Sequence, residues 1–151
     1  MARFRKSIDI DAPPDKVFEV LDDPEHFPAW MDRVVAVKFL TPEKHGLYSA
    51  IELTTRFSGF DFKTRTKVVD YVKGYQFTIE GFQGIVGSRN TDTVEPLPNG
   101  GSRVIWDFEY EFTSTIGRIA DELLFSRLLE ESVEKSLRNL KQKMEIGAVA
   151  K

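Results

Sequence analysis

The chain has 151 residues, which predicts a single domain over 1–151, and it has no cysteine, which excludes disulfides, thiolate nucleophiles and Cys-ligated metal sites. Its net charge of −3, with both signs interspersed over the 30% of residues that are charged, argues against nucleic acid as the main partner. No apolar run approaches the ~20 residues that a membrane span needs, and the first residues lack the apolar core of a signal peptide, so we expect a cytoplasmic protein without stable membrane insertion.

The first thirty residues predict one strand and two short helices. Alternation in "FRKSIDIDA" (4–12) is typical of a strand. The next segment, "PPDKVFEVLDD" (13–23), combines proline and an acid in the first turn with apolar residues at helical spacing, which predicts a helix. In "DPEHFPAW", Asp23 is predicted to cap a second helix of about one turn, which we expect Pro28 to end.

The middle of the chain alternates with period two. This pattern predicts six further strands, at 33–40, 49–57, 60–72, 75–83, 87–97 and 102–112. Short turn segments separate them, and Asn99-Gly100 is the strongest hairpin signal among these turns. Because such short connections make neighbouring strands antiparallel, we expect an antiparallel sheet.

Residues 115–144 carry an apolar stripe amid charged residues and predict one long amphipathic helix. Seven strands and one such helix predict an α+β fold, in which a curved antiparallel sheet wraps its apolar face around the helix. A strongly bent sheet needs bulges or glycine kinks, which we expect at Gly81, Gly84 and Gly87.

Side chains alternate along a strand, so the apolar parity identifies the face that points toward the helix. The predicted members of this inner face are Ile51, Leu53, Thr55, Phe57, Phe60, Phe62, Thr64, Thr66, Val68, Tyr75, Phe77, Ile79, Val104, Trp106, Phe108, Tyr110 and Phe112. Bulky apolar and aromatic residues dominate the set, as they would in an ordinary core.

The strand at 87–97 does not fit an ordinary core. If Val94 points inward, then Ser88, Asn90 and Asp92 do too. Burying a polar group without a partner costs roughly 1–3 kcal/mol, so a dry core would not select these residues, whereas a ligand-holding cavity would tolerate them. The alternative is a bulge at the preceding glycines that turns the opposite face of this strand inward.

Three stretches carry a resemblance to a known superfamily: "SIDIDAPPDKVFEVLDDPEHFPAW", "VEPLPNGGSRVIWDFEYEF" and "LLEESVEKSLRNLKQKME". They resemble the polyketide cyclase/dehydrase-like branch of the START-like (SRPBCC) superfamily, to which the birch-pollen allergen and the lipid-transfer START domains also belong. The similarity runs from about Phe4 to Glu145. It implies a helix-grip fold, in which two short helices form a V against the long C-terminal helix and a cavity lies between that helix and the sheet.

The resemblance, together with the inner-face pattern, implies that the cavity holds a hydrophobic small molecule such as a lipid, an isoprenoid or a polyketide-like compound. The predicted ligand-binding residues are Trp30, Phe62, Thr64, Phe77, Asn90, Asp92, Trp106, Phe108, Tyr110, Leu124 and Leu128. For Trp30 two placements stay open: beside the cavity mouth or helix end, as the resemblance implies, or as a buried anchor of the second short helix.

The sequence predicts no catalytic residue, metal ligand or cofactor, because it has no nucleophile motif and neither His26 nor His45 shows metal-ligand spacing. Binding or transport is therefore favoured over catalysis. One alternative is a cyclase- or dehydratase-type enzyme that uses Asp92 or Tyr110 for proton transfer in the same cavity. Another is a protein-interaction module, which would have a filled core and an exposed apolar patch. The residues leave the ligand and the oligomeric state open.

Overall fold

A seven-stranded antiparallel sheet and a long helix dominate residues 2–83, 86–112 and 122–149, which are the residues that the structure, a computed structural model, describes. The strands are β1 (Ala2–Ile10), β2 (Val34–Phe39), β3 (Ala50–Phe57), β4 (Phe60–Val72), β5 (Gln76–Gln83), β6 (Val86–Pro96) and β7 (Ser102–Phe112). The helices are α1 (Pro14–Leu21), a 3-10 turn (Pro24–His26), α2 (Phe27–Trp30) and α3 (Glu122–Val149).

The strand order is β1-β7-β6-β5-β4-β3-β2, and each neighbouring pair is antiparallel. Only β1 is out of sequence: it closes the sheet beside β7, while the other strands follow one another through short connections. The inner face of the sheet packs on α3, with the Phe57 and Phe125 rings 5.5 Å apart between centroids. The predicted helix-grip α+β fold is confirmed.

The turn between β6 and β7 forms where Asn99-Gly100 predicts it. The backbone N–H of Leu97 donates to the carbonyl of Gly101 at 2.9 Å, and the Asn99 side chain accepts from the Gly101 N–H at the same distance. Gly100 has φ +86°, a left-handed conformation that an L side chain rarely adopts. Gly100, through its left-handed backbone, and Asn99, through its side-chain hydrogen bond, therefore determine the conformation of this turn.

One bulge of the sheet lies beside Gly81, as predicted, because Arg65 pairs with Gln83 and Thr66 pairs with Gly81, which leaves Phe82 as the extra residue of β5. The register between β5 and β6 and between β6 and β7 runs without a shift, whereas β4 shifts against β5 between Arg65 and Thr66 and again between Val68 and Asp70. Gly81 has a second role, since a Cβ at this position would lie 2.6 Å from Oγ of Ser88. This glycine permits close approach of two strands, while Gly84 lies outside the described residues.

The segment after α1 confirms one predicted signal and corrects another. The Asp23 side chain accepts a hydrogen bond from the Glu25 N–H, as a capping residue does. Pro28, however, does not end the helix. It lies in the first turn of α2, where its missing N–H costs nothing, and the helix runs on to Trp30.

Most of the predicted inner face is on the inside, with two exceptions at strand ends. Phe60 is 70% exposed at the tip of the β3–β4 hairpin, and Tyr75 is 45% exposed just before β5 begins. At these strand ends, inward parity alone does not bury a side chain. The side chain of Phe112 and residues 115–121 of the predicted helix lie outside what is described.

Along α3 the buried face is formed by Val133, Leu137 and Leu140, which pack into the main apolar core with Trp30 and Val104. Asn139 donates a hydrogen bond to the carbonyl of Trp30 at 3.1 Å. These contacts hold the second short helix against α3. No helix within 2–83, 86–112 and 122–149 is long and apolar enough to cross a bilayer.

Leu140→Ala is expected to lower the free energy of unfolding by about 2–5 kcal/mol, because Leu140 is fully buried and its truncation leaves a cavity between α3 and the sheet. Chemical denaturation measures this change. Ile146→Ala is the matched control on the same helix: Ile146 is 68% exposed, and its truncation is expected to cost less than about 1 kcal/mol. Equal losses in the two variants would contradict the packing of α3 described above.

Candidate functional site

A pocket of about 200 Å³ lies between the inner face of the sheet and α3. Most of its wall is apolar. The aromatic side chains that line it are Phe27, Trp30, Phe57, Phe62, Trp106, Phe108 and Phe125. Since the lining comes from six of the strands, from α1 and α2 and from α3, the pocket is a property of the whole fold and not of one loop.

The pocket exists because small side chains face each other across it. On the sheet, Thr66 pairs with Gly81 and Gly81 pairs with Ser88, so one row across β4, β5 and β6 carries no large side chain. On α3, Ser132 and Ser136 lie in the lining. Neither surface fills the space between them, which leaves room for another molecule.

The prediction that Ser88, Asn90 and Asp92 point inward is confirmed: all three line the pocket. Asn90 and Asp92 are buried, and the amide of Asn90 donates to Oδ2 of Asp92 at 3.1 Å. Arg89, which lies between Ser88 and Asn90 in the sequence, points outward and forms an ion pair with Glu80. The alternative in which a bulge turns the opposite face of β6 inward is therefore wrong.

Burial raises the pKa of Asp92 to about 7, an effect that the hydrogen bond from Asn90 only partly offsets. Oδ1 of Asp92 and Oδ1 of Asn90 are both buried without a hydrogen-bond partner. The central strand β6 thus presents to the pocket a carboxyl group that can hold or release a proton near neutral pH, next to an amide oxygen that accepts hydrogen bonds.

Two indole groups complete this polar end of the pocket. Trp106 is the cross-strand partner of Asp92, and Trp30 meets Trp106 edge to face, with centroids 6.1 Å apart. Nε1 of each tryptophan is buried without a hydrogen-bond partner. We name the group formed by Trp30, Asn90, Asp92 and Trp106 the polar end, because it contains two unpaired N–H donors and two unpaired oxygen atoms.

The other end of the pocket is aromatic and apolar. Phe57 contacts Phe62 and Phe125, with ring centroids 6.2 and 5.5 Å apart. The strand register shows that this cluster lies away from the polar end. Phe62 pairs with Thr55 near the β3–β4 hairpin, whereas Asp92 pairs with Phe77, farther from that hairpin. We name Phe57, Phe62 and Phe125 the aromatic end.

Of the eleven predicted ligand-binding residues, seven lie in the pocket wall: Trp30, Phe62, Thr64, Asn90, Asp92, Trp106 and Phe108. Trp30 satisfies both placements left open above, because it is buried in the core and also lines the pocket. Phe77 and Tyr110 are on the inner face but belong to the core, where Phe77 packs on Phe18 and Tyr110 packs on Phe4.

The prediction for Leu124 and Leu128 is wrong as to place. Leu124 is 56% exposed, and Leu128 lies in the wall of a separate outer cleft beside Arg33 and Arg56. The face of α3 that lines the pocket is instead formed by Phe125, Leu129, Ser132, Val133 and Ser136. Hydrophobicity alone excludes Ser132 and Ser136, so it predicts the neighbouring face of α3 as the pocket wall.

The serines were missed because their role is to join elements. Oγ of Ser136 accepts from the Asp32 N–H at 2.8 Å, and Oγ of Ser132 donates to the Asp32 carbonyl at 3.3 Å. Both hydrogen bonds tie the chain just after α2 to α3. Their spacing of four residues on a helix is the only signal in the sequence that could have placed them on one face.

The raised pKa of Asp92 determines the direction in which its contribution to folding stability changes with pH. Because its folded pKa of about 7 exceeds the ordinary 3.8, Asp92 contributes stability that is fully present below about pH 4 and lost as the pH rises to about 7. Asp92→Asn is therefore expected to be more stable than the wild type at pH 8, by an amount that shrinks toward pH 4. Denaturant unfolding at several pH values measures the difference.

Asp107→Asn supplies a control of opposite sign. Asp107 lies on the outer face of β7, and hydrogen bonds from Arg3 and Arg5 lower the pKa of its carboxyl. Its stabilising contribution is present at neutral pH and lost as the pH falls through its folded pKa, so this variant should be less stable than the wild type at pH 8. A pH-independent effect of Asp92→Asn would contradict the burial of an ionisable group.

Comparison with known proteins agrees with this architecture. A crystal structure from Thermus thermophilus has a TM-score of 0.82 at 20% identity, covering 97% of this chain and 99% of that one. The aromatase/cyclase Zhui from a Streptomyces species has a TM-score of 0.80 at 13% identity, covering 95% and 93%. A START superfamily protein from Mycobacterium smegmatis reaches 0.79 at 16%, covering 95% and 97%. At these identities the likeness concerns the fold.

Sequence comparison gives the family. A Mycobacterium tuberculosis protein, described as uncharacterized, is 25% identical over 148 residues, which cover 92% of this chain and 82% of that protein. Residues 1–145 match the family described as "Polyketide cyclase / dehydrase and lipid transport". With nearly the whole chain inside that match, this protein belongs to the polyketide cyclase/dehydrase and lipid-transport family.

Proposed function

We propose that the protein is a ligand-binding domain that holds an apolar small molecule in the pocket between the sheet and α3. The observation that carries this proposal is a largely apolar pocket whose wall contains four buried polar atoms without partners. Leaving a buried polar group unpaired costs about 1–3 kcal/mol, so a protein without a ligand or water to place there would gain stability from apolar residues. Such a pocket with a few convergent polar groups is the usual form of a small-molecule site.

The volume limits the size of the ligand. The described residues leave about 200 Å³, and an apolar cavity of about 150 Å³ is known to take a molecule as large as benzene. A one- or two-ring molecule fits this space better than a long-chain lipid does. Of the ligand classes expected from the sequence, compact isoprenoid or polyketide-like molecules therefore agree best with the dimensions of the pocket.

Native mass spectrometry of gently purified protein is the first test, and it is expected to show a bound apolar compound that denaturation releases. Calorimetric titration with naphthalene then tests the site. Leu129→Trp is expected to weaken naphthalene binding at least ~10-fold, because Leu129 lines the pocket and an indole would fill it.

Leu128→Trp is the matched control, with the same substitution one residue away on the face of α3 that lies outside the pocket. It is expected to leave naphthalene affinity unchanged. Circular dichroism spectra would verify that both variants fold. Absence of naphthalene binding by the wild type, together with a bare protein mass, would refute the proposed function.

A second candidate function, cyclase- or dehydratase-type catalysis, is favoured by Asp92. A general acid or base acts best when its pKa lies near the working pH, and burial brings the pKa of this carboxyl to about 7. Asp92 also lines the pocket, where it could exchange a proton with a bound molecule. The third possibility, a protein-interaction module with a filled core, agrees less well with the pocket.

A short linear polyketone tests the catalytic candidate, since cyclisation with dehydration lowers its mass by that of one water. Accelerated formation of this product by the wild type, abolished in Asp92→Asn but retained in Asp107→Asn, is the expected result of catalysis. Mass spectrometry of the reaction mixture measures the product. Equal rates with and without the wild-type protein would leave binding as the sole function.

A further inference from the structure

We propose that the pocket selects uncharged molecules with a hydroxyl group, held with the hydroxyl against the polar end and the hydrocarbon body against the aromatic end. This inference rests on the proposed function, and it adds the chemical class of the ligand and its orientation. It follows from which atoms are unpaired, from the charges in the wall and from where the two ends lie.

The unpaired atoms of the polar end are complementary to a hydroxyl group. Trp30 and Trp106 each carry a buried indole N–H without a partner, which only donates, and Asn90 carries an unpaired Oδ1, which only accepts. A ligand hydroxyl can accept from an indole and donate to an amide or carboxyl oxygen at the same time. A ketone or an ether can only accept, and a hydrocarbon can do neither, so each leaves more of these buried atoms unpaired.

Charge in the wall disfavours an anionic ligand. The ionisable side chains among the described lining residues are two aspartates, Asp32 and Asp92, and that part of the lining contains no lysine, arginine or histidine. Asp32 is compensated from outside the pocket by Arg33 and Lys135, at 3.6 Å each. A carboxylate inside the pocket would lose its hydration without gaining a counter-charge, and it would lie near Asp92.

The orientation follows from the separation of the two ends. The rings of Phe57, Phe62 and Phe125, which pack edge to face in the first pair and tilted in the second, offer apolar surface that suits a ring system. The row of small residues around Gly81 lies between this cluster and the Asp92 row of the sheet. A flat hydrocarbon body would therefore extend from the aromatic end along the small-residue row, with its hydroxyl at Asn90 and Asp92.

Three probes of similar size and different polar group separate these effects: 2-naphthol, naphthalene and 2-naphthoate. Calorimetric titration at pH 7.5 is expected to give at least ~10-fold tighter binding of 2-naphthol than of naphthalene, and weaker binding of 2-naphthoate than of either. Asn90→Leu is expected to remove the preference for 2-naphthol while keeping naphthalene affinity within about threefold of the wild-type value.

Arg89→Leu is the control, because it places the same new side chain on the adjacent residue of β6, outside the pocket. It should retain the wild-type order of the three probes. Where Asn90→Leu fails to fold, Asn90→Ser is the replacement, since it keeps a polar group but shortens its reach. Equal affinities for naphthalene and 2-naphthol in the wild type would overturn this inference and leave the proposed function standing. No binding of any probe, together with a bare protein mass, would overturn both.

Discussion

The packing of Trp30 between the sheet and α3 is the contact on which the rest of the structure depends. Its indole meets Trp106 on one side and Phe27 on the other, and its carbonyl accepts a hydrogen bond from Asn139 of α3. Two residues after Trp30, the backbone N–H of Asp32 donates a hydrogen bond to the Ser136 hydroxyl. The short, proline-rich segment before β2 thus fixes the distance between the sheet and α3. That distance determines whether a pocket remains.

Polar groups in the pocket are costly for stability, and the same cost supports a role in binding. The Asn90–Asp92 pair lies on a central strand, where apolar side chains of similar size would pack without unpaired atoms. Burial of the Asp92 carboxylate is costly, and for this reason its pKa is raised and the protonated form is favoured. Departures from good packing of this kind are typical of functional sites, which agrees with the role in ligand recognition proposed for the polar end.

Most of the fold could be predicted from sequence, because its signals are local. Alternation placed the strands to within a few residues, and parity placed Asn90 and Asp92 inside. The errors have tertiary causes. Phe60 has inward parity but is exposed at the tip of a hairpin, Pro28 starts a helix that depends on Trp30 for its packing, and Leu124 lies on a face that only the docking of α3 turns outward.

The side chains that create the pocket are those that sequence reasoning weighs least. Gly81 lets two strands approach closely, because a Cβ there would meet Ser88, and the serines of α3 are small side chains that bind the backbone of Asp32. Hydrophobic patterning detects what fills a core, so small and polar residues register as interruptions of the pattern. In this fold the small residues of the sheet and those of α3 line the same pocket. Their coincidence can be seen only once the register of the strands and the rotation of the helix are known.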